Sequence, residues 1–412
     1  MKLILFIGGG DEALPAVKLA KSIGFKTAVI DLDPSCICFK YSDFNIICST
    51  YDVNGCIKLS QQFNDETYKI SGVISVASDV PNSVASVAKS LNIPGIPIKA
   101  ALISSDKMLM KDIFKKNNIE IPWYKEIFSY EDLLKIISKN NKQYVIKPVD
   151  SRGSRGVQKI DSNSNLKLSY EEALNYSPSK RVMIEEFISG PQISSESLIF
   201  KGKSYTIGLS DRNYELLEKY APNIIEDGGD LPASLDKEQV SNIEKIIEKI
   251  AKILKINNGV IKGDIVFNKD SSTPIIIEVA TRLSGGYFCT HEIPLNTGVD
   301  FVGNAIKIAL GENINLNELE PTEKNCVCQR YLFAKEGIVT KIPNMKKIEL
   351  MPGIKLAKLR VDIGDKIDSP KSHPGRSGVI IAVGENRVDA QNNAKNAILE
   401  MKKNLIIKQE LK

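Results

Sequence analysis

The stretch Gly263–Gly286, GDIVFNKDSSTPIIIEVATRLSGG, carries two acids, Asp264 and Glu278, on two apolar runs separated by the turn-forming residues Asn268 to Pro274. Runs of this kind around such a turn predict a hairpin. Pairing Phe267 with Ile275 would set Asp264 directly opposite Glu278. Cross-strand neighbours on one face lie about 5 Å apart at Cβ, and like charges there repel. A hard divalent cation between them converts that repulsion into binding. Arg282, Ser284, Gly285 and Gly286 follow at once, adding a guanidinium and a flexible backbone. The plainer alternative is a surface hairpin with two solvated acids.

Upstream lies what a phosphate chain needs. Tyr144–Val149 reads as a strand with a single lysine, Lys147, in an apolar run, and Asp150-Ser-Arg-Gly-Ser-Arg-Gly-Val157 follows as a loop. Backbone N–H groups freed by glycine, with hydroxyls and guanidinium groups, cradle phosphates. The alternatives are a solvated lysine on an edge strand and an ordinary basic hairpin. Ser104-Ser105-Asp106-Lys107 caps a helix reaching to about Asn117, with Met110, Ile113 and Phe114 on its buried face. Ser129 and Asp132 start a shorter helix. Arg181–Ile188 reads as a further strand. Ile193–Phe200 and Lys203–Leu209 form a hairpin turned at Lys201-Gly202. Asp236–Ile256 is amphipathic through Val240, Ile243, Ile247, Ile250 and Leu254, a stripe that is core.

The first hundred residues alternate strand and helix: strand Leu3–Ile7, helix Glu12–Ile23, strands Thr27–Asp31 and Gly72–Val76, and helix Asn82–Leu91. Such alternation predicts a parallel sheet covered by helices. Gly8-x-Gly10-x-x-Ala13, with Asp31 further on, fits the dinucleotide-binding fingerprint. Asp11 and Glu12 oppose that reading. They put two carboxylates where a pyrophosphate would meet the helix, and they would satisfy its dipole themselves. A tight turn lining a substrate cleft is the alternative.

Composition bounds the rest. With 412 residues, 42% of them hydrophobic, the chain has material for two or three domains. The 55 basic and 50 acidic residues are spread throughout, leaving no footprint for nucleic acid or a membrane surface. No run approaches the roughly 18 apolar residues of a membrane span, and the opening MKLILFIGGG reads as a first strand, too short for a signal peptide. The seven cysteines are odd in number, lack zinc-knuckle spacing and sit in strand-like settings, which predicts reduced thiols in a cytoplasmic protein.

In this order and spacing the pieces resemble the ATP-grasp carboxylate–amine ligases, the superfamily of biotin carboxylase, the carbamoyl phosphate synthetase large chain and the L-amino acid ligases. The resemblance implies a mixed α/β and α+β architecture. Residues 1–97 would be a Rossmann-like pre-ATP-grasp domain, 98–320 the ATP-grasp domain with a lid at about 120–205, and 321–412 a small α+β domain. That tail has predicted strands at 326–335, 354–361 and 377–384 and a helix near Asp389–Asn404.

The resemblance also implies roles. Lys107 and Lys147 would contact the ATP phosphates, with Ser154, Gly156 and Val157 in the loop that closes over them. Glu185, Glu186, Phe187 and Ile188 would line the adenine. Gln192 takes the place of a ribose-binding glutamate. Asp264 and Glu278 would hold Mg2+, or Mn2+ in its stead. Arg282 would stabilise an acyl phosphate, and Arg212, Ser284, Gly285 and Gly286 would face the acceptor. Ala280 stands where many relatives place a metal-binding asparagine. His291 would orient the loop 284–293. The segments 211–214 and 221–230 form a polar insertion that could face the acceptor, where Arg212 would pair with a carboxylate or stand as a solvated surface residue.

The activity implied is ATP-dependent activation of a carboxylate as an acyl phosphate and its coupling to an amine, an amino acid or similar small molecule, with ADP and phosphate released. A homodimer is compatible with this. Three other readings stay open: a carbamoyl-phosphate-like enzyme acting on bicarbonate, a non-catalytic nucleotide-binding regulator, and an NAD-dependent dehydrogenase.

Overall fold

The computed structural model describes residues 2–409 except 67, 140–141 and 269–270. Near the N-terminus, strands Phe44–Ile47, Lys26–Asp31, Leu3–Ile7 and Ile70–Ile74 lie side by side in that order, all parallel. Helices Leu14–Ser22, Val53–Glu66 and Pro81–Ser90 connect or follow them. This is the sheet expected from the alternation, with the strand expected at Gly72–Val76 beginning and ending two residues earlier. The strand Phe44–Ile47 and the helix Val53–Glu66 complete it.

The first helix does not start on its acids. It begins at Leu14, capped by Ala13 without any side-chain bond and with no acid in its first turn. Asp11 and Glu12 therefore do not serve its dipole. Their carboxylates leave the domain altogether, to partners described below.

A second, antiparallel sheet of Tyr124–Ile127, Val182–Glu186, Tyr144–Pro148 and Gln158–Ile160 has its own core of Ile127, Leu133, Ile146, Ala173 and Ile184. Lys147 thus sits on an interior strand, buried, and not on an edge. This sheet ends at Glu186, and the strand from Gln192 already runs in the main sheet.

Eight strands make that main sheet, in the order Pro274–Ala280, Gly259–Phe267, Gln192–Phe200, Lys203–Asn213, Gly228–Leu231, Cys326–Leu332, Gly378–Gly384 and Ile354–Leu359. It continues without a break across residue 320, so the C-terminal segment extends the sheet of the preceding domain. Helix Lys237–Ile253, opened by the expected capping box of Asp236 and Gln239, lays Ile243, Ile247 and Ile250 on one end of it. Full burial of each such side chain stabilises by about 1.5–3 kcal/mol. Helix Arg387–Asn404 packs against the other end through Ala390, Ala394, Ala397 and Met401. A third core joins Phe6, Val17 and Val76 of the N-terminal domain to Tyr287, Phe301 and Ile306, fixing that domain against the hairpin loop after Arg282.

Candidate nucleotide-binding and ligase site

The hairpin forms between Gly259–Phe267 and Pro274–Ala280; residues 269 and 270 of its turn lie outside the described residues. Its register differs from the expected one near the turn, where Phe267 meets Pro274 and Ile265 meets Ile276. The register then shifts, leaving Ile277 as an extra residue, and Asp264 faces Glu278 after all.

Both acids are set among cations. Asp264 Oδ1 receives Arg212 Nη1 at 2.8 Å and the Lys262 ammonium, with Ser194 Oγ at 3.4 Å. Its Oδ2 carries no hydrogen bond among the described residues. Glu278 Oε2 lies 3.6 Å from Lys107 Nζ. Partial burial would raise the Glu278 carboxyl, but Lys107, Lys147, Lys262 and Arg212 together hold it far below the usual carboxylate range. Two opposed carboxylates with oxygens uncommitted suit a hard cation. No group of three or more His, Cys, Asp or Glu among the described residues would enclose a metal unaided. Asp264 and Glu278 would hold Mg2+, with its remaining ligands supplied from outside the protein.

Lys107 is positioned by its neighbour. Asp106 caps helix Lys107–Lys116 by accepting from the Leu109 amide at 2.9 Å and is held by Arg181 at 2.6 Å. Lys107 Nζ donates to the Ser151 carbonyl at 2.8 Å, which ties it to the glycine-rich loop. In that loop Gly153, Ser154 and Gly156 have φ of 63°, 60° and 70°, the left-handed region that costs a residue with a Cβ. Ser154 accepts this conformation while its hydroxyl donates to the Ile224 carbonyl. Ile224 N donates to Val157 O at 3.2 Å, and Lys159 N to Pro222 O at 2.7 Å. The segment 222–224 thus covers the glycine-rich loop, a contact not foreseen for the polar insertion. From the C-terminal part, His373 N donates to Gly153 O at 3.0 Å.

The Glu185 side chain is buried between two lysines, Lys147 at 2.5 Å and Lys111 at 3.1 Å. Glu186 pairs with Lys142 at 2.8 Å. The Glu186 and Phe187 amides donate to Trp123 O and Gln143 O at 2.8 and 3.0 Å. Among the described residues the Ile188 amide and the Gln192 side chain have no hydrogen bond, so both are open to a nucleoside.

Arg212 departs from expectation. It is neither solvated nor free for an acceptor: its guanidinium grips Glu226 at 2.9 and 2.6 Å as well as Asp264. Sequence reasoning missed Glu226, Lys262, Lys111 and Glu196. Lys111 had a signal, lying four residues after Lys107 on one helix face.

The loop after the hairpin closes the site. Arg282 Nη2 lies 3.3 Å from Asp79 Oδ2, Nη1 donates to Leu283 O at 3.3 Å, and the buried Nε has no hydrogen-bond partner among the described residues. The N-terminal domain reaches here through Ala77, whose amide donates to Leu283 O at 3.1 Å. Ser284 donates its amide (2.8 Å) and its hydroxyl to the buried Glu196. Gly285 has no room for a side chain, since a Cβ would stand 2.8 Å from Glu12 Oε2. The Gly286 amide donates to that same oxygen at 2.6 Å, while Glu12 Oε1 takes Arg360 at 2.5 Å. Asp11 pairs with Lys358 at 2.6 Å and accepts from Tyr287. These are the partners for which the two acids leave their own helix. Asp31, in turn, accepts from the Gly9 amide at 2.7 Å and so caps its own glycine turn. His291 bonds Thr290 Oγ1 at 3.0 Å and stands edge-on to Tyr287. All seven cysteines are free thiols.

Residues 104–286 match the model of the ATP-grasp domain, and residues 330–402 match that of the L-amino acid ligase C-terminal domain 2. The uncharacterized protein y4rH of Sinorhizobium fredii is 23% identical over 81% of this chain and 68% of its own length. The mitochondrial arginine-specific carbamoyl phosphate synthase large chain of Neurospora crassa is 24% identical over 78% of this chain, but over only 27% of its own length. Among solved structures, the L-amino acid ligase of Bacillus licheniformis shares the fold with a TM-score of 0.81 and 20% identity, over 100% of this chain and 99% of that one. The biotin carboxylase domain of the Hydrogenobacter thermophilus 2-oxoglutarate carboxylase, solved with MgADP and bicarbonate, gives a TM-score of 0.73 and 17% identity, covering 96% and 89%. The chain therefore carries an ATP-grasp domain at residues 104–286 followed by an L-amino acid ligase C-terminal domain at 330–402.

Proposed function

We propose that this protein is an ATP-dependent carboxylate–amine ligase whose carboxylate substrate is an amino acid or a similar small acid. The observation that carries the reading is the pair Asp264–Glu278, opposed across one hairpin and surrounded by Lys107, Lys147, Lys262 and Arg212. An excess of cations around two carboxylates suits a triphosphate. Lys107 and Lys147 hold its oxygens, the Ser154–Val157 loop covers it, and the Ile188 amide and Gln192 are available to the nucleoside. Asp264 and Glu278 would hold Mg2+, which when bound neutralises phosphate charge.

The γ-phosphoryl group passes to the substrate carboxylate, and an amine then displaces phosphate from the acyl phosphate. Arg282 stabilises the charge that develops on the attacked carbonyl. Positioning and electrostatics carry such a transfer without a protein nucleophile, consistent with thiols that need no catalytic role. The L-amino acid ligase C-terminal domain favours an amino acid substrate over bicarbonate. Against a nicotinamide cofactor stands Asp31, already engaged by the Gly9 amide.

The test is ADP release with Mg2+ and ATP against panels of amino acids, other carboxylates and amines. Release that requires one carboxylate together with one amine supports the reading. Tight NAD binding with no ATP binding would reject it.

A further inference from the structure

Arg376 is the one arginine among the described residues that is less than a tenth exposed, at 7%. It is also without an acid. Arg212, Arg282, Arg330 and Arg360, all less buried, each have a carboxylate partner: Glu226, Asp79, Asp230 and Glu12. Arg376 has only neutral ones. Its Nε and Nη2 donate to the Glu226 carbonyl at 3.1 and 2.6 Å, and the guanidinium stacks on Tyr331 with 3.7 Å to the ring centroid. Its Nη1 carries no hydrogen bond among the described residues. A buried charge left without a counter-charge is costly, and an arginine held rigidly by its other edge is shaped to receive an oxyanion.

Three parts of the site meet around it. Glu226, whose carbonyl it holds, grips Arg212 and through it Asp264. Tyr331, on which it stacks, reaches the loop after Arg282, for a Cβ on Gly286 would stand 2.6 Å from its hydroxyl. His373, three residues before it, is bonded to Gly153 of the phosphate loop.

We propose that Arg376 is an oxyanion-binding residue of the reaction centre, contributed by the C-terminal domain, that takes a carboxylate of a substrate or a phosphate of the nucleotide through Nη1. The proposal rests on the ligase reading for its location, though the uncompensated charge stands without it.

Arg376→Gln and Arg376→Lys are compared with wild type by calorimetry with a non-hydrolysable Mg·ATP analogue and by carboxylate-dependent ADP release. Removing one partner of a desolvated charge pair weakens binding by at least about tenfold. A loss of that size in nucleotide affinity identifies a phosphate as the occupant. The same rise in KM for the carboxylate, with nucleotide affinity unchanged, identifies the carboxylate. Both constants within twofold of wild type overturn the proposal, whether or not the variant is less stable, since a merely structural arginine would move stability alone. If the glutamine variant does not fold, the lysine variant keeps the charge, loses the fork and is read in the same way. Should wild type bind no nucleotide, the ligase reading fails. Inorganic phosphate is then the probe, and equal affinity in wild type and variant overturns the assignment of Arg376 by itself.

Discussion

Asp264 and Glu278 face each other because a single extra residue, Ile277, interrupts the regular pairing between them and the turn. Without that bulge Asp264 would face Ile277, and the acids would stand on opposite sides of the sheet. Glu278→Gln keeps the volume and loses the charge a hard cation requires. We expect the variant to fold normally and to lose turnover at every Mg2+ concentration. Circular dichroism and a Mg2+ titration of ADP release check this, and full activity would show that the metal lies elsewhere.

Arg282→Lys tests the opposite charge. If this side chain did no more than pair with Asp79 at the surface, the change would be nearly silent, because exposed pairs contribute about 0–1 kcal/mol. Its side chain is largely buried and its Nε is unpaired. Losing the fork aimed at developing negative charge typically costs about 100- to 1,000-fold in turnover. ATP affinity should stay near normal while substrate-dependent ADP release falls by that amount.

Lys111 shares Glu185 with Lys147, the lysine proposed above to hold phosphate. Burial, only partly offset by Glu185, lowers the Lys111 ammonium to about 8. In Lys111→Met, Glu185 retains Lys147 as its sole counter-ion and draws it away from phosphate. Breaking a buried pair costs about 3–5 kcal/mol when one charge is stranded, and less here because Lys147 remains. We expect KM for ATP to rise about tenfold at little cost in kcat, and the double variant Lys111→Met/Glu185→Met to recover most of the loss by freeing Lys147. A double variant no better than the single one would show that Glu185 does not govern Lys147.

Glu196 gives a pH dependence with a definite sign. Burial pushes its carboxyl up to about 7, against the opposing hydrogen bonds from Ser284. The folded protein therefore holds a proton that the unfolded chain releases, starting from an ordinary value of 4.5. The stability this contributes is complete below about pH 4.5 and is lost as pH rises through about 7. Glu196→Gln should remove that slope and match or exceed wild-type stability above pH 7. Urea midpoints at pH 5, 6, 7 and 8 decide it; parallel curves for the two proteins would sink the assignment.

Much of the framework was legible because local signals agree there: the apolar hairpin around its turn residues, the Asp236–Gln239 capping box, and the Ser129 cap. What sequence could not supply is direction across space. Glu185 and Glu186 are adjacent and chemically alike. Only the pairing of Val182–Glu186 with Tyr144–Pro148 turns the first toward Lys147 and the second toward Lys142. Asp11 and Glu12 look like helix-start acids until the strand around Lys358 and Arg360 is brought beside them from almost 350 residues away. Arg376 likewise becomes unusual only when its partners are known to be a backbone carbonyl and an aromatic ring. The helix Val53–Glu66 was obscured by Gly55 and by a run of polar residues on its outer face.

The eight-stranded sheet crosses residue 320 without a seam, and this bears on how the protein can be divided. Cutting the chain there would strip Cys326–Leu332 from Gly228–Leu231 and leave four residues of buried backbone with unmet amides and carbonyls along a newly created border. Arg330 would leave Asp230 at the same stroke. A fragment ending at 320 is therefore expected to self-associate through that border rather than act as a stand-alone catalytic module, and gene fusions or swaps between relatives have to exchange the tail together with the strand it completes.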